Sequence, residues 1–167
     1  MNEIIIHFLS QQTCTTICCS DEQGKPYCFN CFYAFNKEET LVYFKSSAET
    51  RHGQMMQKNK HVSGTVLPDK INKLIIKGLQ LEGVILDEDH PLSKNAEAKY
   101  HLKQPIALAM PGEVWTLQLN AIKMTDSTLG FGKKICWKRS STCLTITNTH
   151  HVNPFANFYV TTITVRS

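Results

Sequence analysis

A chain of 167 residues with 42% hydrophobic and 19% charged residues has the composition of one folded domain: enough apolar side chains for a core, too little length for two comfortable ones. Its net charge of +4 comes from scattered lysines, with no basic run or aromatic-interleaved stripe of the kind that tracks nucleic acid. No apolar stretch approaches the roughly 20 residues that cross a bilayer, and Met1 to Gln12 lacks the basic flank and cleavage site of a secretory leader. The expectation is a cytoplasmic protein that meets neither nucleic acid nor membrane, with its seven cysteines reduced.

The segment up to Leu9 places its apolar residues on one helical face, and Thr13 to Cys19 is a β-branched, cysteine-rich run that reads as a strand. Asp21 to Pro26 are turn formers, and Tyr27 to Phe35 returns as a second strand, which makes a β-hairpin with a longer loop. After a polar turn, Leu41 to Lys45 is the third strand. His61 to Pro68 and Leu74 to Leu86 read as further strands, the latter interrupted by Gly78 and Gly83, which mark a bulge, a bend or a close approach. Asp87 to Gln104 holds a surface helix. Val114 to Lys123 alternates, with Trp115, Leu117, Leu119 and Ala121 on one face. Short strands joined by brief turns, with few helices, point to a mainly β barrel; there is no GxGxxG or P-loop spacing for a Rossmann or nucleotide triphosphatase domain.

Between the third and fourth strands, Ser46, Ser47 and Thr50 offer hydroxyls ahead of a helix-forming run that includes Arg51, His52, Met55 and Met56. Free N–H groups at a helix start, adjacent hydroxyls and a guanidinium that grips two oxygens together suit a phosphate monoester. Ser or Thr before a helix is, however, more often a plain N-cap. Cys18, Cys19, Cys28 and Cys31 raise the alternative of zinc, but on a strand Cys28 and Cys31 point to opposite faces, so no metal site is expected there.

The block NCFYAFNKEETLVYFKSSAETRHGQMMQKNKHVSGTV (residues 30 to 66), with KGLQLEG (77 to 83) and IKMTDSTLGFGKKICW (122 to 137), resembles the FMN-binding split barrels related to pyridoxamine 5′-phosphate oxidase, and within them the small bacterial group typified by YhbP. The resemblance covers residues 1 to 139 and implies a six-stranded antiparallel split β-barrel that dimerises, with FMN at the interface in sites built from both subunits. It implies that the strand Asn30, Cys31, Phe32 and Tyr33 lies along the isoalloxazine ring. Lys45 and Ser46 would meet the ribityl chain; Arg51 and His52 would hold the phosphate, helped by the Thr50 hydroxyl. Gln80 would approach the flavin from a later strand, and Lys133, Lys134 and Trp137 would come from the C-terminal block, across the interface. The oxidases' RxH pair near the C-terminus has no counterpart after Trp137, which argues against oxidation of pyridoxamine phosphate. The tail from Ser140 to Ser167, with its His150–His151 pair, matches nothing in the group and is read as an extra strand or an extension. Three readings of function follow: a flavin-dependent oxidoreductase of unknown substrate, a non-catalytic module for a flavin, haem or deazaflavin, and a zinc-stabilised structural protein.

Overall fold

The computed structural model describes residues 1 to 130 and 133 to 140; the expectations for the tail from 141 onward fall outside them. Strands β1 (Cys14–Ser20), β2 (Pro26–Asn36), β3 (Leu41–Ser46), β4 (His61–Val66), β5 (Lys77–Leu86) and β6 (Glu113–Asp126) are joined in the order β3-β2-β1-β4-β5-β6. Pairing of β3 with β6 closes them into a six-stranded antiparallel barrel, the split-barrel architecture expected from the sequence. Helix α1 (Glu3–Gln11) buries Ile5, Phe8 and Leu9. Helices α2 (Arg51–Lys58) and α3 (Ala96–Lys103) complete the α-helices among the described residues, and β7 (Lys134–Lys138) adds a seventh strand.

Alternation determines what each strand contributes. In β1, Thr15, Ile17 and Cys19 are buried while Cys14, Thr16 and Cys18 face outward. The interior collects Ile17, Val42, Phe44, Val62, Leu79, Leu81, Leu117, Leu119, Ile122 and Met124 with the α1 side chains and Met56 of α2. A second, smaller cluster on the outside of β3 gathers Leu41 and Tyr43 under Ala96 and Tyr100 of α3.

The alternation predicted for Val114 to Lys123 holds as far as Leu119 and then inverts, with Ile122 and Met124 buried. The cause is a bulge: Glu82 pairs with Ala121 and Gly83 with Leu119, so Asn120 is the unpaired extra residue. A Cβ at Gly83 would lie 2.3 Å from the Gln118 carbonyl oxygen, which is the close approach that a strand glycine signalled. Likewise β5 begins at Lys77 rather than Leu74, because Leu74 to Ile76 lie in the preceding loop.

Strand β6 is long enough to serve two partners. Its first half pairs with β3 and its second half with β7, and Arg139 fills the seam between them. The Arg139 Nε donates to the Leu119 carbonyl at 2.8 Å, and Nη2 donates to the carbonyls of Glu39 and Thr40, each at 3.0 Å, and to the Thr40 hydroxyl.

Cys18 and Cys28 stand directly opposite in the β1–β2 register, with Cα atoms 4.2 Å apart, and are joined as a disulfide. This corrects the expectation of seven reduced cysteines, and register is the reason: antiparallel pairing sets the two side chains side by side on the outer face. Cys28 and Cys31 do face opposite sides of β2.

Candidate functional site

The junction between β3 and α2 is built by contacts from three strands. Thr50 caps α2: its Oγ accepts from the Gly53 N–H at 3.1 Å and donates to the Ser47 carbonyl at 2.7 Å. The N–H groups of Arg51 and His52, in the first helical turn, have no intrahelical acceptor. Ser46 Oγ lies 2.6 Å from His52 Nε2, and the His52 ring stacks on Phe29 with centroids 3.8 Å apart and planes 13° from parallel. Burial pushes the His52 imidazole below its ordinary range, so at neutral pH the ring is uncharged and its Nε2 is the natural acceptor for the serine hydroxyl. Arg51 is exposed with its guanidinium carbon 4.7 Å from the Tyr27 ring centroid. That cation–π contact gives a structural role to an arginine at a helix end whose dipole disfavours it.

The start of β6 clamps this turn. Trp115 Nε1 donates to the Ser46 carbonyl at 2.9 Å, and the Glu113 carboxylate accepts from the Ala48 N–H at 2.8 Å. Gly112, at φ +114°, sits where a Cβ would be 3.0 Å from Ser47 N. None of these three is visible in the local sequence of the junction; they arrive through the β3–β6 pairing, in which Ser46 faces Glu113. Ser46, Thr50, Arg51 and His52 are thus brought together; the Ser46 and Thr50 hydroxyl protons are engaged within the junction, which leaves the Arg51 guanidinium and the first-turn N–H groups as the donors that suit a phosphate.

The other candidate residues lie elsewhere. Lys45 projects to the opposite side of β3 from Ser46, where its Nζ donates to the Ala107 carbonyl at 2.9 Å. Tyr33 is buried and its hydroxyl donates to the Leu9 carbonyl at 2.7 Å. Cys31 also faces inward, and burial pushes both the Cys31 thiol and the Tyr33 hydroxyl upward, so both stay protonated. Asn30 and Phe32 face outward. Register aligns Asn30, Thr16, Thr65, Gln80, Lys123 and Cys136 in one row across five neighbouring strand pairs, with the Thr16 hydroxyl 2.7 Å from Asn30 Oδ1. A groove of about 520 Å³ runs along this outer face, lined by Gln80, Lys123 and Trp137 among others. Trp137 also packs against the main core and lies under Arg139. Lys133 and Lys134 are exposed near the start of β7. Within one chain the candidates therefore form a polar junction at one barrel end, an outer-face row with its groove, and single residues apart from both.

No family model matches the chain. Among curated relatives, a UPF0306 protein of Photorhabdus laumondii is 42% identical over 137 residues, covering 82% of this chain and 95% of the relative. The UPF0306 protein YhbP of Escherichia fergusonii is 36% identical over 82% of this chain and 92% of its own length. Among solved structures, a haem-binding protein from Mycobacterium smegmatis superposes with a TM-score of 0.65 at 14% identity, covering 78% of this chain and 55% of that one. A FAD-binding protein from Mesorhizobium loti gives 0.58 at 16% identity, over 75% and 95% of the two chains. An F420 reductase gives 0.51 at 15% identity over 70% and 93%. At these identities the structures establish the shared split-barrel fold, whereas the sequence relatives establish kinship over nearly their whole length. The chain belongs to the UPF0306 family.

Proposed function

We propose that this protein binds FMN as a homodimer, with the cofactor at the subunit interface, and acts as a flavin-dependent oxidoreductase related to pyridoxamine 5′-phosphate oxidase. The observation that carries the reading is the β3–α2 junction, where the Arg51 guanidinium and two first-turn N–H groups belong to the same helix start as the Thr50 cap and the Ser46–His52 pair. That is a receptor for a phosphate monoester, the feature that separates FMN from riboflavin. The FAD-binding protein and the F420 reductase that share the fold support a flavin-type ligand. Bound FMN supplies hydride chemistry, and the protein supplies position and electrostatics. The outer-face groove and the exposed Phe32 beside Asn30 suit a surface that a second subunit covers, completing a site that one chain leaves open.

A haem-binding module is the second reading, favoured by the likeness to the Mycobacterium smegmatis protein. The engagement of His52 Nε2 by Ser46 argues against that histidine as an iron ligand. Titration of the purified protein with FMN, riboflavin and haemin, followed by absorbance, separates the readings. FMN is expected to bind more tightly than riboflavin, and Arg51→Ala to weaken FMN by about 1.5–3 kcal/mol, or roughly 10- to 150-fold, for the loss of a charge-assisted bond. Equal affinity for FMN and riboflavin removes the phosphate argument. A Soret band with no flavin binding selects haem, and light scattering of a monomer at micromolar concentration removes the shared site.

A further inference from the structure

The residues numbered 67 to 76 connect β4 to β5. They are anchored at both ends: the Asp69 carboxylate accepts from the Thr13 N–H at 3.1 Å, and the Ile76 N–H donates to the Ser127 hydroxyl at 3.1 Å. Between these ties the loop turns at Asn72, whose Oδ1 accepts from the Leu74 N–H. Its aliphatic side chains point into water: Leu67 is 57% exposed, Ile71 74%, Leu74 92% and Ile76 68%. Single exposed aliphatics are ordinary, but this density within one short loop is the mark of a contact surface.

The charge around that surface is basic. Lys70 and Lys73 lie between the aliphatics in sequence, and Lys77 begins the next strand. Registers Lys77 to Asp126 and Thr125 to Lys134 bring Lys134 to the same end of the sheet. Asp126 is 2.8 Å from Lys77 and accepts from Thr128, so that pair is neutral, and the single Asp69 carboxylate, which holds the Thr13 N–H, is outnumbered by Lys70, Lys73 and Lys134. A two-fold contact of this loop with its own copy would set Lys70 and Lys73 against the same lysines. A membrane with anionic headgroups satisfies both components, since aliphatics enter the acyl boundary while ammonium groups stay at the headgroups.

We propose that the β4–β5 loop is a docking surface for an anionic lipid membrane, with Leu74 and Ile71 inserting and Lys70 and Lys73 contacting headgroups. The sequence expectation of no membrane contact was drawn from the length of apolar stretches, a criterion that concerns spanning and not surface binding. The loop adjoins the Cys14 end of β1, whereas α2 is tied to its other end by the bond from Asn59 Nδ2 to Ser20 Oγ at 2.9 Å. Docking therefore leaves the Ser46–His52 junction at the far end of the barrel, and the proposal stands independently of the bound cofactor.

The test is co-sedimentation of the full chain with phosphatidylcholine vesicles and with vesicles carrying about 30% phosphatidylserine, at low and high salt. Binding is expected to the anionic vesicles alone and to fall as salt rises. Leu74→Glu should reduce partitioning at least tenfold with an unchanged melting temperature. Lys70→Glu with Lys73→Glu should reduce it roughly 25-fold or more, at about fivefold for each lysine lost near the surface. Absence of binding to anionic vesicles overturns the proposal, as does binding indifferent to both sets of substitutions. A dimer that Leu74→Glu converts to monomer, with no vesicle binding by the parent chain, assigns the loop to self-association and equally overturns it.

Discussion

Replacing His52 separates packing from ligand recognition at one side chain. In the structure it contributes a ring stack on Phe29 at 3.8 Å and a hydrogen bond with Ser46 at 2.6 Å. An aromatic pair is worth about 0.5–1.5 kcal/mol and a neutral hydrogen bond about 0.5–1.5 kcal/mol, so His52→Ala should cost about 1–3 kcal/mol and His52→Phe, which keeps the stack, about half of that. Urea unfolding resolves the difference, because about 2 kcal/mol moves the midpoint by roughly 1 M at ordinary slopes. Both variants should lose FMN affinity and leave riboflavin affinity near that of the parent. Burial lowers the His52 pKa, so the unfolded chain binds the proton more readily; the resulting stability is present above the unfolded value and is lost as pH falls through the lowered folded value. A phosphate beside the ring favours the proton instead. The FMN affinity of the parent relative to His52→Phe should therefore rise as pH falls from about 7 to 5. If His52→Phe binds FMN like the parent across that range, His52 only packs, and the phosphate-site reasoning fails.

Three other outcomes follow from contacts outside the junction. Arg139→Ala should lower stability by about 2–3 kcal/mol, because carbonyls of Leu119, Glu39 and Thr40 lose a charged donor; Arg139→Lys should restore little, since one ammonium does not span both sides of the seam. At Asp126, burial raises the carboxyl pKa, but the Lys77 ammonium and the Thr128 donors outweigh it and hold the group below the usual carboxylate range. Its contribution is present above the unfolded value near 3.9 and lost on further acidification, so Asp126→Asn should cost about 1.5–3 kcal/mol at pH 7, the range for a hydrogen bond to a charged group, and flatten the acid limb of a stability profile. Reduction of the Cys18–Cys28 disulfide, which spans a sequence separation of 10, should lower unfolding stability by up to about 3 kcal/mol on the chain-entropy account, and a Cys18→Ser/Cys28→Ser variant should be indifferent to reductant.

Local pattern made most of the strands legible. Periodicity located β1 to β4 to within a residue or two at most of their ends, and Gly83 announced the bulge. What it could not provide was which face turns inward. Lys45 and Ser46 are adjacent in sequence, and both belong to the expected cofactor strand, yet the pleat sends one towards His101 of α3 and the Ala107 carbonyl and the other towards α2. The helix-start residues Thr50, Arg51 and His52 were readable because capping and hydroxyl chemistry are local. Glu113 and Trp115 were not, since they meet the junction only through a strand pairing distant in sequence. Leu74 reads as strand in the sequence because a hydrophobic run carries no sign of whether a partner strand covers it; the pairing begins at Lys77.

The β3–β6 pairing joins residues roughly seventy positions apart, whereas the β1–β2, β2–β3 and β4–β5 pairings join near neighbours in the chain. Ring closure therefore bears the largest loop entropy and belongs late on the folding route. Until it occurs, β3 and the first half of β6 are open edges, each able to recruit another chain. The seam that Arg139 fastens thus governs more than equilibrium stability: a weak seam would show itself as aggregation during synthesis and refolding before it showed itself as a lowered melting temperature.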